Sequence, residues 1–516
     1  MADYIYMMES RLTPDQQRAV ALVQEVARAQ EMNVYLTGGG IRDLISGFPI
    51  RDLDFTVQGN ALKLQRELEK AGTLVQGMDE DLRSMYVLLP GNVRGEIAMA
   101  RAERYDKPGR APEVAAGTIS DDLRRRDFTI NAMALSLNPG SRGLLLDPFN
   151  GVADIEAKLI RILHNYAFYE EPSRLIRATR FATRFHFTLE ERTQARFDAA
   201  REGNYIDNIS DRAIGYEIEQ IAYEDDPLHI LRLYEKEGWL KLLSPHWSVS
   251  KVDSASLAQL VKTKQQMQDL GYTLDAAPAA MYFLTYRLGD RDIAAMQRLM
   301  PRKSFVGTWR ALGDDAKELA RRLGGKEAAT PSLAWKLLSN TRPETILFLE
   351  TTTRQQAVAQ KIRNFFTKWR QVKDKLPFPE MAELHITPEL PFYPKLAEDA
   401  FYLLLDGKLR SHTEILKFLK PFAPPPPPPP PPAKRGRGAK PAEAAPPVEA
   451  KPGKKGKSAK PGAPAAPPSK PAANTAAPPA PAAAKKAPVK PAPKPAPAPA
   501  AKPAKSAKKS PARKKH

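Results

Sequence analysis

Nine consecutive prolines, Pro424 to Pro432, set the outer limit of what this chain can fold. Proline lacks a backbone N–H and fixes φ, so the run can enter neither helix nor sheet and favours extended polyproline II. Beyond Phe422 there is no Leu, Ile, Phe, Tyr or Trp, and hence too little apolar surface to offset chain entropy. Residues 423–516 are therefore expected to be a disordered, basic Pro/Ala/Lys-rich tail. That tail carries 21 Lys and Arg against 2 acidic residues, so the 422 residues before it hold 58 basic and 57 acidic groups, although the whole chain has a net charge of +20. The distribution excludes a uniformly basic nucleic-acid coat and describes a near-neutral globular protein with a cationic appendage. The chain has no cysteine, which excludes disulfide scaffolds, thiolate zinc sites and thiol nucleophiles. No apolar run approaches the roughly 18 residues of a membrane span. Residues 1–6 lack the basic and apolar regions of a secretory signal, so a cytoplasmic protein with no membrane partner is expected.

Residues 33–137 alternate short strand-like segments (Val34 to Leu36, Leu53 to Val57, Met85 to Leu89, Glu96 to Arg101) with turn signals such as Gly38-Gly39-Gly40 and Pro90-Gly91-Asn92. This predicts a mixed α/β region. After about Asp154 apolar residues recur three and four apart, as in Leu228 to Leu243 and Ala400 to Leu419, which predicts helices.

The most informative segment is Asp52-Leu53-Asp54-Phe55-Thr56-Val57. Its alternation is that of a half-buried strand, so both carboxylates project from one face, their Cα atoms roughly 6.6 Å apart. Two hard anionic ligands at that separation suit one or two Mg²⁺ ions, which leave coordination positions for phosphate and water. Upstream, Gly38 and Gly39 stand between a strand and a helix expected to begin near Ile41. Glycines there let the backbone approach an anion closely at a helix N-terminus, and Arg42 would add positive charge. No Gly-Lys-Ser/Thr follows, so this is not a Walker A loop.

Gly39-Gly40-Ile41-Arg42-Asp43 followed by Asp52-Leu53-Asp54 resembles the head of class II nucleotidyltransferases, the bacterial tRNA CCA-adding enzymes and their poly(A) polymerase relatives. The resemblance extends over about residues 30–240. It implies an α/β nucleotidyltransferase (polymerase-β-like) head over 1–150, a helical neck over 151–240 and an all-α, RNA-binding body over 241–422, with the disordered tail over 423–516. Arg125-Arg126-Asp127-Phe128-Thr129-Ile130-Asn131-Ala132 is similar to a family motif in which Arg126 would contact nucleotide phosphate and Asp127 the ribose hydroxyls.

Glu170-Glu171-Pro172-Ser173-Arg174 through Arg184 reads as a helix with an arginine stripe (Arg174, Arg177, Arg180, Arg184) beside an apolar one. The resemblance implies that Glu171 and Arg174 present base-like hydrogen-bonding edges that select CTP or ATP, and that Arg177 and Arg180 bind the nucleotide. Glu171 departs from the family's usual Asp, which bears on discrimination between C and A. Ile209 to Glu217 is similar to the last neck motif, though its residues alone indicate structural helix packing. Glu96 is a candidate third acid.

Together these imply template-independent addition of C and A residues to the tRNA 3′ end from CTP and ATP, with Asp52 and Asp54 as ligands of a two-Mg²⁺ site and Glu96 as a third catalytic acid. Poly(A) polymerase, a partial CC- or A-adding enzyme, and a non-catalytic RNA-binding protein are the alternatives. The seven histidines are scattered without a His-Asp doublet, so no His-Asp phosphohydrolase site is expected.

The cationic tail can attract RNA or other polyanions through counterion release. Its removal is expected to leave the chemistry intact and to flatten the salt dependence of RNA binding. Equal slopes with and without residues 423–516 would remove any electrostatic role for it.

Overall fold

The structure, a computed structural model, describes residues 3–424. The tail expected to be disordered therefore lies almost wholly outside the described residues.

A mixed sheet forms the head. Its strands are β1 (Val34–Thr37), β2 (Leu53–Val57), β3 (Leu74–Asp79), β4 (Ser84–Leu89), β5 (Val93–Met99), β8 (Ala134–Ser136) and β9 (Leu145–Leu146), in the order β3-β4-β5-β2-β1-β8-β9. A separate hairpin joins β6 (Arg101–Arg104) to β7 (Glu113–Ala116). Every pairing in the large sheet is antiparallel except that of β2 with β5. The alternation read in β2 is observed, with Leu53, Phe55 and Val57 fully buried. Helix Pro14–Ala29 starts at a Thr13/Gln16 capping box and buries Val20, Val23 and Ala27 in the head core. Strands β3, β8 and β9 and the β6–β7 hairpin carry no clear period-2 signal and were not among the expected segments. Leu74 and Met78 of β3 are in fact exposed, so that strand has little apolar face to read.

The remainder is helical, as the spacing predicts, but in shorter pieces. Leu228 to Leu243 divides into Pro227–Glu237 and Trp239–Leu243 because Gly238 adopts φ +84°, a left-handed helix stop. Ala400 to Leu419 likewise divides into Tyr393–Leu405 and His412–Leu419. One hydrophobic core runs from Met8 through the head and helices to Leu405, and a small second core gathers Met381, Ile386, Leu396, Ala400, Leu409 and Leu419. Among the described residues no helix is long and apolar enough to cross a membrane.

One contact of the helical body with the head and neck is Arg302, at the N-cap position of helix Lys303–Gly324. Its guanidinium binds Glu219 of helix Asp211–Tyr223 and lies 4.6 Å from the ring centroid of Tyr86 on β4. Glu219 is fully buried and its Oε2 has no hydrogen-bond partner. Removing one member of a buried pair leaves an uncompensated charge, so Arg302→Ala is expected to cost about 3–5 kcal/mol of stability. Urea denaturation checks this; an unchanged midpoint would show that Glu219 does not depend on Arg302.

Candidate active site

Side chains alternate along a strand, so β2 sends Leu53 and Phe55 into the core and leaves Asp54 facing a cleft of about 730 Å³. The parallel register with β5 sets Glu96 directly beside Asp54. Neither acid forms a salt bridge among the described residues. Burial, then the Glu96 and Asp52 carboxylates, push Asp54 up to about 7.

Asp52 is held differently. Arg94, two residues before Glu96 and on the same face of β5, donates through Nε and Nη2 to its Oδ1, at 2.8 and 2.5 Å. Burial raises the Asp52 pKa, but Arg94, with Arg302 and Arg51, holds it below the usual carboxylate value. Among the described residues no group of three or more His, Cys, Asp or Glu could hold a metal ion by itself. A divalent cation beside Asp54 and Glu96 would complete its shell with phosphate and water, as Mg²⁺ commonly does. The unpaired, raised Asp54 next to Glu96 fits such a cation, because a positive charge there would relieve the repulsion between the two acids.

The glycine turn stands against these acids. Gly38 has φ +65° and caps helix Gly39–Ser46, which begins two residues earlier than Ile41. A Cβ at Gly38 would lie 3.0 Å from Arg126 Nη1 and 3.2 Å from Asp54 Oδ2, so turn, arginine and acid converge on one point. Arg126 is anchored by Asp122 at 2.8 Å and by the Thr56 hydroxyl at 3.2 Å. Arg42 departs from expectation. It is 3% exposed, pairs with Asp43 through Nε and Nη2 at 2.9 and 2.8 Å, donates to Asn131 Oδ1 at 2.6 Å and packs over Phe185. Its guanidinium is thus committed to bracing the helix behind the turn.

The arginine stripe on helix Ser173–Phe185 is also only partly open. Arg180 is 2% exposed and bound by Glu217 and Glu224 at 3.2 and 3.1 Å, so it ties the neck helices together and is not a free guanidinium. Glu217, in the segment read as structural packing, is one of its partners. Arg174 donates to the Ala167 and Arg125 carbonyls at 3.2 and 2.7 Å. Glu171 Oε1 accepts from the Ser173 N–H at 3.3 Å at the start of the same helix.

Arg177 and Asp127 are the exceptions. Arg177 Nη2 stands 2.7 Å from Asp127 Oδ2, yet that oxygen and Arg177 Nε are both buried without a hydrogen-bond partner. Asp127 Oδ1 accepts from Phe128 N–H and the Asn131 amide. Burial raises the Asp127 pKa, but Arg177 and these hydrogen bonds bring it below the usual value.

The twelve candidate site residues, and Arg184 of the arginine stripe, all line this one cleft. So do Tyr86 and Tyr223, which were not singled out, and Arg212 and Tyr216 of the Ile209 to Glu217 segment read as helix packing. Tyr86 had a legible signal, since it pairs directly with Glu96 across β4 and β5. Tyr216 and Tyr223 come from a neck helix whose apolar spacing gives no hint that one end reaches the acids.

Residues 34–161 match a family model described as the Poly A polymerase head domain. The chain is similar to an A-adding tRNA nucleotidyltransferase of Halalkalibacterium halodurans, 36% identical over 259 residues, 49% of this chain and 60% of that protein. An A-adding tRNA nucleotidyltransferase of Aquifex aeolicus is 37% identical over 205 residues, 40% of this chain and 25% of that protein. A multifunctional CCA protein of Nitrosococcus oceani is 34% identical over 221 residues, 42% of this chain and 50% of that protein. The chain thus spans between a quarter and three fifths of the length of these relatives.

A raised Asp54 pKa has a consequence for stability of the metal-free protein. The folded state binds the Asp54 proton up to about pH 7 while an unfolded aspartate releases it near 3.8, so stability attributable to this group falls as pH rises between those values. Asp54→Asn in EDTA is therefore expected to be more stable than the unsubstituted protein at pH 8, with the difference vanishing near pH 4. Thermal unfolding at both pH values checks this; equal differences at the two would contradict it.

Proposed function

We propose that the chain is a template-independent nucleotidyltransferase that adds C and A residues to the 3′ end of tRNA from CTP and ATP, releasing pyrophosphate in the cytoplasm. The observation that carries the reading is the meeting, in one cleft, of an acid pair without a salt bridge (Asp54, Glu96), a glycine turn at a helix N-terminus, and the Asp127–Arg177 ion pair.

Nucleotidyltransferases of this kind generally use divalent metal, and we assign Mg²⁺. Two such ions, held by Asp52, Asp54 and Glu96, would activate the RNA 3′-hydroxyl and neutralise the departing pyrophosphate. The chain's own groups do the positioning. The Gly38 turn and Arg126 face the triphosphate, where free backbone N–H groups and a guanidinium favour anions. Asp127 Oδ2 accepts from a ribose hydroxyl, and a carboxylate that can accept from both 2′ and 3′ hydroxyls separates ribose from deoxyribose. Arg177, which lines the cleft, binds the nucleotide. Glu171 and Arg174 flank the base, Glu171 with Oε2 left for a base amino group, while Arg42 and Arg180 act from behind by bracing the turn and the helix.

A second reading, addition of A alone, is favoured by the names of the Halalkalibacterium and Aquifex relatives.

The purified chain should be given tRNA ending at the discriminator base and tRNA ending in CC, with CTP and ATP separately and together, and the 3′ ends sequenced. CCA on the shorter tRNA supports the first reading, and A added only to the CC-ended tRNA supports the second. Asp52→Ala with Asp54→Ala should abolish transfer without unfolding the protein; RNA extension by that double variant would refute the assignment.

A further inference from the structure

Arg94 connects a candidate metal ligand to the helical body, and the reading above gives it no part. Both nitrogens that reach Asp52 donate to the same oxygen, Oδ1. Oδ2 is thereby left without a protein partner among the described residues. The Arg94 guanidinium lies 3.7 Å from the ring centroid of Tyr223 on the neck helix. Its Nη1 is 3.7 Å from Asp275 Oδ2, an oxygen that also accepts from the Tyr223 hydroxyl at 3.1 Å. Asp275 is itself fixed. Its Oδ1 accepts from Ala277 N–H at the start of helix Ala277–Leu284, and its own N–H donates to Glu344 at 3.1 Å. A continuous set of contacts thus runs from two body helices to one carboxylate oxygen in the head.

An unclamped carboxylate rotates and can offer either oxygen or both. A planar fork on one oxygen removes that freedom, and the fork is itself immobilised by aromatic stacking and a second acid. The same positive charge weakens the pull of Asp52 on a cation. Such a clamp therefore orients a ligand at the expense of affinity, as groups behind metal ligands commonly tune them.

We propose that Arg94 is a positioning residue for nucleotidyl transfer, presenting Oδ2 of Asp52 to a divalent cation, and that Asp275 and Tyr223 hold Arg94 so that the body sets the geometry of the cation site. The proposal rests on the transfer reading of the cleft. It separates from a merely structural tie because it demands opposite changes in two quantities.

The test uses the full chain, measuring Mn²⁺ binding by electron paramagnetic resonance without nucleotide, steady-state transfer to tRNA, and thermal unfolding. Arg94→Gln is expected to bind Mn²⁺ at least about threefold more tightly, because a positive charge is gone. Its kcat is expected to fall about 10- to 100-fold, with KM for the nucleotide within about twofold. Arg94→Lys keeps the charge without the fork, so its Mn²⁺ affinity should stay near that of the unsubstituted protein while kcat still falls. Asp275→Asn should lower kcat less, and should add nothing when combined with Arg94→Gln.

A folded Arg94→Gln protein whose Mn²⁺ affinity and kcat both match the unsubstituted chain would overturn the proposal, as would affinity and kcat falling together. If Arg94→Gln does not fold, Arg94→Lys decides, since kcat equal to that of the unsubstituted protein removes any need for the fork. If the unsubstituted chain extends no RNA, it is the transfer reading that fails, and the Mn²⁺ affinity of Arg94→Gln still decides whether Arg94 restrains Asp52.

Discussion

The parallel pairing of β2 with β5 is the constraint on which the rest of the site depends. It sets Asp54 beside Glu96 and brings Arg94, one step back on the same face, to Asp52. Because side chains alternate, a slip of one residue would turn these groups into the core and Leu53, Phe55 and Ile97 into the cleft. The register is fixed by that apolar face, which is fully buried, and the acids occupy the other face as a consequence. Burial, and then the neighbouring Glu96 and Asp52 carboxylates, disfavour a charged Asp54, and its raised pKa is the trace of that cost. The sheet tolerates it because the opposite face secures the pairing.

Around this pair the arginines divide into two sets. Arg42 and Arg180 are buried and Arg302 is partly buried, matched to Asp43 with Asn131, to Glu217 with Glu224, and to Glu219. They join the turn, the neck helices and the body into one frame, and each would be costly to remove because its partner is buried too. Arg126 and Arg177 line the cleft, Arg126 held by Asp122 and Arg177 paired with Asp127. Arg177 and Arg180 stand on one stripe of helix Ser173–Phe185 and look alike in the sequence; the buried Glu217 and Glu224 that hold Arg180 come from a distant segment.

That division explains how much was legible. The β2 alternation and the Gly38 turn could be read because they are local, set by period and by the conformational needs of glycine. Asp127 and Arg177 could be placed together only through family resemblance, since 50 residues separate them. Arg94 was open to the same reasoning that found Glu96, being two residues before it, but its significance comes from Asp52 across the strand pair and Asp275 in the body. Tyr223 and Arg302 belong to elements whose apolar spacing says helix and nothing more. The helix breaks at Gly238 and after Leu405 were marked by glycines, yet the continuous three-and-four spacing of apolar residues masks them.

On the proposed function, the cleft with its acid pair, glycine turn and Asp127–Arg177 pair takes a metal-bound nucleoside triphosphate. Crystals grown with Mn²⁺ and a non-hydrolysable CTP or ATP analogue, examined at the manganese absorption edge, test that claim most directly. The account predicts anomalous density against Asp54 and Glu96, with the triphosphate at the Gly38 turn and the ribose at Asp127. Manganese and nucleotide bound together at any other place on the molecule would contradict it.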